Sequence, residues 1–184
     1  MIQANHAGQT PKIHATAFVH PSAVVIGNVV IGKKVFVGPN AVIRSDEPGA
    51  CGNVESIIIE GEVNIQDCVV IHASGGSRVR IGKGASLAHG SVVHGPCDVG
   101  ENCFIGFRSV VFKACLERGV VVQHQALVEG VALPEGIHVP SMTSVQSECD
   151  VKRLAPASSE LTAFADQVRK TNIFLAESSL KRAS

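Results

Sequence analysis

Aliphatic residues recur at every sixth position of this chain. The beat runs Ile13, Val19, Val25, Ile31, Val37, Ile43, resumes at Ile59, Ile65, Ile71, and again runs from Ile81 through Leu87, Val93, Val99 and Ile105 to Val111. One residue is then skipped, and the series continues at Leu116, Val122 and Val128. Four residues after each aliphatic stands a small or β-branched one, among them Ala17, Ala23, Val29, Val35, Ala41, Ala85, Ser91 and Cys103. A half-buried strand alternates with period two and an amphipathic helix with period 3.6. A period of six with a small residue in fixed phase is neither.

That period describes a triangular coil of three hexads, with the aliphatic turned to the axis and the small residue fitted into a tight corner. Successive coils pair as parallel strands about 4.8 Å apart. The expected fold is therefore all-β, a parallel β-helix of hexapeptide repeats. Its left hand follows from resemblance to known hexapeptide proteins, because the general rule for parallel connections favours the right hand. Two insertions interrupt the beat: residues 45–56, which carry Pro48-Gly49-Ala50-Cys51-Gly52, and the short Ser74-Gly75-Gly76-Ser77. Both read as loops. From Pro156 the pattern turns helical, with Leu161, Phe164, Val168 and Leu175 on one face and Ser158 or Ser159 as N-cap. The division is residues 1–155 for the β-helix and 156–184 for a helix of the same domain, packed along its outside.

Repeats allow positions to be compared in space. His72 is the second residue of the hexad begun by Ile71, and His94 is the second residue of the one begun by Val93. They stand 22 residues apart, and removing the four-residue loop leaves 18, one full coil. The two imidazoles are expected one rung apart, pointing the same way. His89 is the third residue of its hexad and falls on a different face. It completes a three-histidine set if a neighbouring copy supplies it across a threefold interface. Three neutral imidazoles with an open fourth position are the ligand set of a catalytic zinc site. In the His89 column, Asp67 stands one coil earlier, Phe107 one coil later and His124 two coils later. Arg44 falls one coil before His72. His6, His14, His20 and His138 read as ordinary surface or core histidines.

Composition narrows the function classes. Hydrophobic residues make up 45% of 184 and charged ones 17%, so the chain is globular. Sixteen Lys+Arg balance sixteen Asp+Glu, which gives no reason to expect a nucleic acid or an anionic membrane as partner. The start, MIQANHAGQTPKIH, lacks a signal-peptide pattern, and no apolar run reaches membrane-spanning length. Six cysteines without a CxxC pair suggest neither a zinc ribbon nor a disulfide framework, so a cytoplasmic, reducing location is expected.

The strings IRSDE (43–47), NIQD (64–67), IH (71–72), SLAHGSVVHGP (86–96) and IGF (105–107) resemble the γ-class carbonic anhydrases over nearly the whole chain. The likeness is greatest to archaeal-type enzymes and to the N-terminal domain of the carboxysomal protein CcmM. The resemblance implies a left-handed β-helix, a homotrimer and CO2 or bicarbonate as substrate. It also implies Zn, with Fe or Co as alternatives, held by His72 and His94 of one subunit and His89 of the next. Gln66 is implied as the partner of the reacting water, with Asn64 nearby. Arg44 and Asp46 are implied as an intersubunit ion pair, Glu47 as an active-site acid and Asn172 as a helix residue reaching the pocket. Phe107 stands where the archaeal prototype has Met and would form an apolar wall. The long acidic loop of the prototypes, with its proton-carrying Glu, is replaced by Ala73-Ser74-Gly75-Gly76-Ser77-Arg78-Val79, which leaves Glu47 as the expected carrier. Two rival readings share the fold: an inert trimer serving as scaffold or bicarbonate-binding module with carboxysome-like partners, and a hexapeptide acyltransferase.

Overall fold

A computed structural model describes residues 1–183. Three long sheets run its length, and within each of them every third strand of the sequence lies parallel beside the next, save for one antiparallel strand at the end of the third sheet. The chain therefore winds as a left-handed parallel β-helix of hexapeptide repeats. Face A holds eight strands, among them Val42–Ser45, Val70–His72 and Val92–His94. Face B holds seven, among them Ile57–Ile59 and Val79–Ile81. Face C holds Asn64–Ile65, Ser86–Leu87 and Phe104–Ile105 among its eight.

The six-residue beat becomes three inward columns. Ile43, Ile71 and Val93 line face A, Ile59, Ile81 and Val99 face B, and Ile65, Leu87 and Ile105 face C, all of them buried. Each such side chain contributes about 1.5–3 kcal/mol by leaving water. The small residues between them, such as Ala41, Ala85 and Ser91, are fully buried at the corners. Corner residues Asn40, Cys68 and Arg108 have φ near +57°, +59° and +55°, and Gly90, in the same column, has +67°. A left-handed residue thus follows Asp67, His89 and Phe107 in turn, and the tight bend places those side chains on the outside of the corner.

The insertions leave the phase intact. Ile31 pairs with Ile59 and Ile59 with Ile81, so both extra segments loop out where face A passes to face B, on adjacent coils. There they touch backbone to backbone: a Cβ on Gly49 would lie 2.8 Å from Cα of Gly76, and one on Gly75 would collide with the Pro48 carbonyl oxygen.

The C-terminal region differs in detail from expectation. A four-residue helix, α1 (Glu148–Val151), capped by Ser147, follows the last coil. Pro156 does not open the long helix. It lies in a two-residue strand, Ala155–Pro156, antiparallel to Ile137–Val139. The ladder accepts a proline at such an edge because the pairing does not need its N–H. The helix α2 (Ser159–Ala183) begins after Ser158, whose Oγ accepts from the Leu161 N–H at 3.3 Å. It lies along face C, where Leu161, Ala165 and Val168 pack on Ala88, Phe104 and Val121. Farther along, Asn172 and Ala176 are buried. The contact stripe is thus Leu161, Ala165, Val168, Asn172 and Ala176, whereas Phe164 and Leu175 are half exposed at its side. Among the described residues no helix is long and apolar enough to cross a membrane.

Candidate metal centre

His72 and His94 end neighbouring strands of face A and pair in register. Because Ile71 and Val93 point inward, alternation turns both imidazoles outward. Nδ1 of His72 lies 3.0 Å from Nε2 of His94, with the rings edge to face at 4.8 Å. Arg44 occupies the same column one coil earlier. Its Nε donates to both Asp46 carboxylate oxygens at 3.2 Å, and its Nη2 lies 3.4 Å from His72 Nε2. Arg44 and Asp46 are thus paired with each other within one chain. Carboxylate oxygens of Asp46 and Glu47 stand 3.6 and 3.5 Å from the same His72 nitrogen. Glu47 is fixed from the other side by the Gly75 N–H, which donates to Oε2 at 3.1 Å.

Burial lowers the pKa of His72, and the Arg44 guanidinium and His94 push the same way, while Glu47 and Asp46 oppose them. The net result favours a neutral ring, the form whose nitrogen lone pair can bind a cation. Two nitrogens held at 2.0–2.1 Å by one tetrahedral ion stand roughly 3.3 Å apart. The observed 3.0 Å separation is close to that, so this donor pair fits a metal.

His89 lies elsewhere. It stands at the corner where the chain enters face A, whereas His94 stands where it leaves, with the turn residue Gly90, Ser91 and the strand residues Val92 and Val93 between them. Among the described residues no three His, Cys, Asp or Glu side chains converge on one point. His89 Nδ1 is 3.4 Å from Asp67 Oδ2, and its ring packs on Phe107 at 5.5 Å. His124 stacks on the far side of Phe107 at 4.4 Å. The column Asp67, His89, Phe107, His124 is therefore present as counted from the sequence.

Beside His89, under α2, lies a cavity of about 270 Å³ lined by Asn64, Gln66, Phe104, Phe107, Phe164 and Asn172, among others. Gln66 Nε2 donates to Asn64 Oδ1 at 2.7 Å and to Asn172 Oδ1 at 2.6 Å. Asn172 Nδ2 in turn donates to the Val168 carbonyl at 2.8 Å. With both amide hydrogens engaged, Gln66 has its carbonyl oxygen left as an acceptor. Asn64 is 1% exposed, and its Nδ2 has no partner among the described residues.

Two neighbours escaped the sequence reading. Phe112 follows His94 in its column, edge-on at 5.3 Å, and the same register count would have found it. Ser74 lies in the short loop, with Oγ 3.3 Å from His94 Nδ1, and no periodicity marks it.

Comparisons with known proteins agree with this architecture. A family model for bacterial transferase hexapeptide (six repeats) matches residues 10–45 and 78–113. The chain is built from hexapeptide repeats. The carboxysome assembly protein CcmM of Nostoc sp. (strain PCC 7120) is 38% identical over 167 residues, which is 85% of this chain and 29% of that protein. The carnitine operon protein CaiE of Escherichia coli (strain K12) is 34% identical over 121 residues, 66% of this chain and 55% of that one. This hexapeptide chain thus spans between about a third and about half of those relatives. A hexapeptide transferase family protein from Anaplasma phagocytophilum has the same fold, with a TM-score of 0.80 at 24% identity over 97% of both chains.

Proposed function

We propose that the protein is a homotrimeric, metal-dependent carbonic anhydrase that interconverts CO2 and bicarbonate at three sites shared between subunits. The observation that carries this reading is the facing pair His72 and His94, with His89 at the far corner, where face C turns into face A. A threefold arrangement brings the exit edge of one copy to the entry edge of the next, so His89 of a neighbour completes the set. Zn²⁺ is the expected ion, and Fe or Co suits three imidazoles equally. When bound, it supplies Lewis acidity that brings the pKa of water near neutrality.

The chain's own residues do the rest. The Gln66 carbonyl oxygen, held by Asn64 and Asn172, accepts a hydrogen bond from the reacting water and orients its lone pair. Phe107 and the other rings of the cavity form a dry wall for nonpolar CO2. Glu47, half exposed and tethered by Gly75, takes the released proton to buffer. Arg44, paired with Asp46, keeps its guanidinium at the edge of the site and favours neutral His72.

CO2 hydration measured on protein of known metal content tests this. Rates should rise in proportion to bound metal, and fully loaded trimer with no acceleration over buffer overturns the activity. That outcome would favour a scaffold or bicarbonate-binding trimer, a reading supported by the likeness to a carboxysome assembly protein and by the missing acidic loop. Acyl transfer, suggested by the family model, predicts instead acyl-CoA turnover that does not depend on metal.

A further inference from the structure

We infer that Ser74 is a positioning residue that fixes the tautomer of His94 and thereby points its metal-binding lone pair at His72; this rests on the metal reading above. His94 Nδ1 faces two oxygens, Ser74 Oγ and the Gly95 carbonyl, each at 3.3 Å. The Gly95 carbonyl has no hydrogen to give. Ser74 has one, and it is spent on that same carbonyl at 2.9 Å. Neither oxygen therefore donates to His94, and both act as acceptors, so the ring proton belongs on Nδ1. Nε2 is left with its lone pair, and Nε2 is the nitrogen 3.0 Å from His72.

The assignment holds along the column while no ion is bound; a cation at His72 Nδ1 would move that ring's proton to Nε2, toward the Asp46 and Glu47 carboxylates at 3.6 and 3.5 Å. In the metal-free protein His72 donates from Nδ1 into that lone pair, which leaves His72 Nε2 as an acceptor. The group that meets His72 Nε2 is Arg44 Nη2, an obligate donor, at 3.4 Å. One directed chain results: Arg44 to His72, His72 to His94, His94 to Ser74, Ser74 to Gly95. Ser74 holds its place because the short loop is pinned on both sides. The Ser77 hydroxyl donates to the Ser74 carbonyl at 2.8 Å, and the Gly75 N–H donates to Glu47. A hydrogen bond to the non-ligating nitrogen of a metal-bound imidazole sets its orientation and raises its basicity, and loss of such a partner commonly weakens metal binding tenfold to a hundredfold.

Two measurements separate this role from a merely structural one. Nitrogen-15 NMR of the metal-free wild type should show His94 protonated at Nδ1, and an Nε2–H tautomer would overturn the proposal. Competition with a chelator should show Zn²⁺ affinity reduced about tenfold to a hundredfold in Ser74→Ala and restored to within about threefold of wild type in Ser74→Thr. Equal affinity in Ser74→Ala overturns it, as does a Ser74→Thr variant as weak as Ser74→Ala. Wild-type protein that takes up no metal ends the metal reading, while the same NMR experiment on Ser74→Ala still decides whether Ser74 sets the tautomer: a mixed or Nε2–H tautomer there supports it, and an unchanged Nδ1–H tautomer overturns it.

Discussion

Gln66 on a coil of face C and Asn172 on α2 are joined by a 2.6 Å hydrogen bond across 106 residues of sequence. The bond ties the position of the helix to the orientation of the amide in the pocket. Asn172→Ala should therefore cost about 1–3 kcal/mol in denaturant unfolding, because a partly buried donor loses its acceptor. It should also lower kcat/KM for CO2 hydration. Unchanged stability together with unchanged kcat/KM would show that Gln66 is held by Asn64 alone.

His89→Ala and His94→Ala should each abolish stoichiometric metal, whereas His124→Ala and His138→Ala should retain it. A three-ligand site loses its preorganised geometry with one imidazole, while His124 stacks on Phe107 and accepts its backbone N–H at 3.1 Å, and His138 bonds Gln123. Metal analysis of the four purified variants decides this. Sedimentation should give three times the 19.2 kDa chain mass, and a monomer that still holds one metal per chain would contradict a shared site.

Glu47→Ala should lower kcat more than kcat/KM, since proton removal follows attack on CO2, and added imidazole should restore part of the rate. Stopped-flow hydration at low buffer concentration reads this. A variant equal to wild type there would mean that buffer takes the proton directly.

Cys103 offers a test independent of any metal. Burial pushes its thiol up to about 12 from an ordinary value of 9.0. The unfolded chain thus loses this proton near pH 9 while the folded chain keeps it, so the stability contribution is full below pH 9. It falls as pH rises from 9 to 12, by about 1.4 kcal/mol per pH unit for this one group. Cys103→Ala should flatten that part of the stability profile, measured by urea unfolding at fixed protein concentration. Parallel profiles for variant and wild type would show that the native thiol ionises as freely as the unfolded one.

Much of the site was legible because a repeat converts sequence distance into spatial register. Counting hexads placed Arg44, His72 and His94 in one column and Asp67, His89, Phe107 and His124 in another, and the ladders agree. The count loses its hold outside the repeat. Ser74 is located by loop contacts such as Gly49 against Gly76, which have no period. The landing of α2 was misread because its contact stripe uses Ala165, Asn172 and Ala176, while the larger Phe164 and Leu175 border the cavity. The helix α1, with four residues, is too short for periodicity to show. Asn172 came from family resemblance alone, since no pattern in the helix points from it to Gln66.

The two corner loops add length without altering the pitch of the coils on either side. Lengthening a flexible loop costs little, about 0.6 kcal/mol for each doubling. The spacing of His72 and His94 is inherited from the rung distance, whereas the carboxylate and hydroxyl around them hang from segments whose length the solenoid does not constrain. Length added to the short loop beyond Ser74 is therefore taken up outside the solenoid, and the rung spacing of His72 and His94 stays as it is.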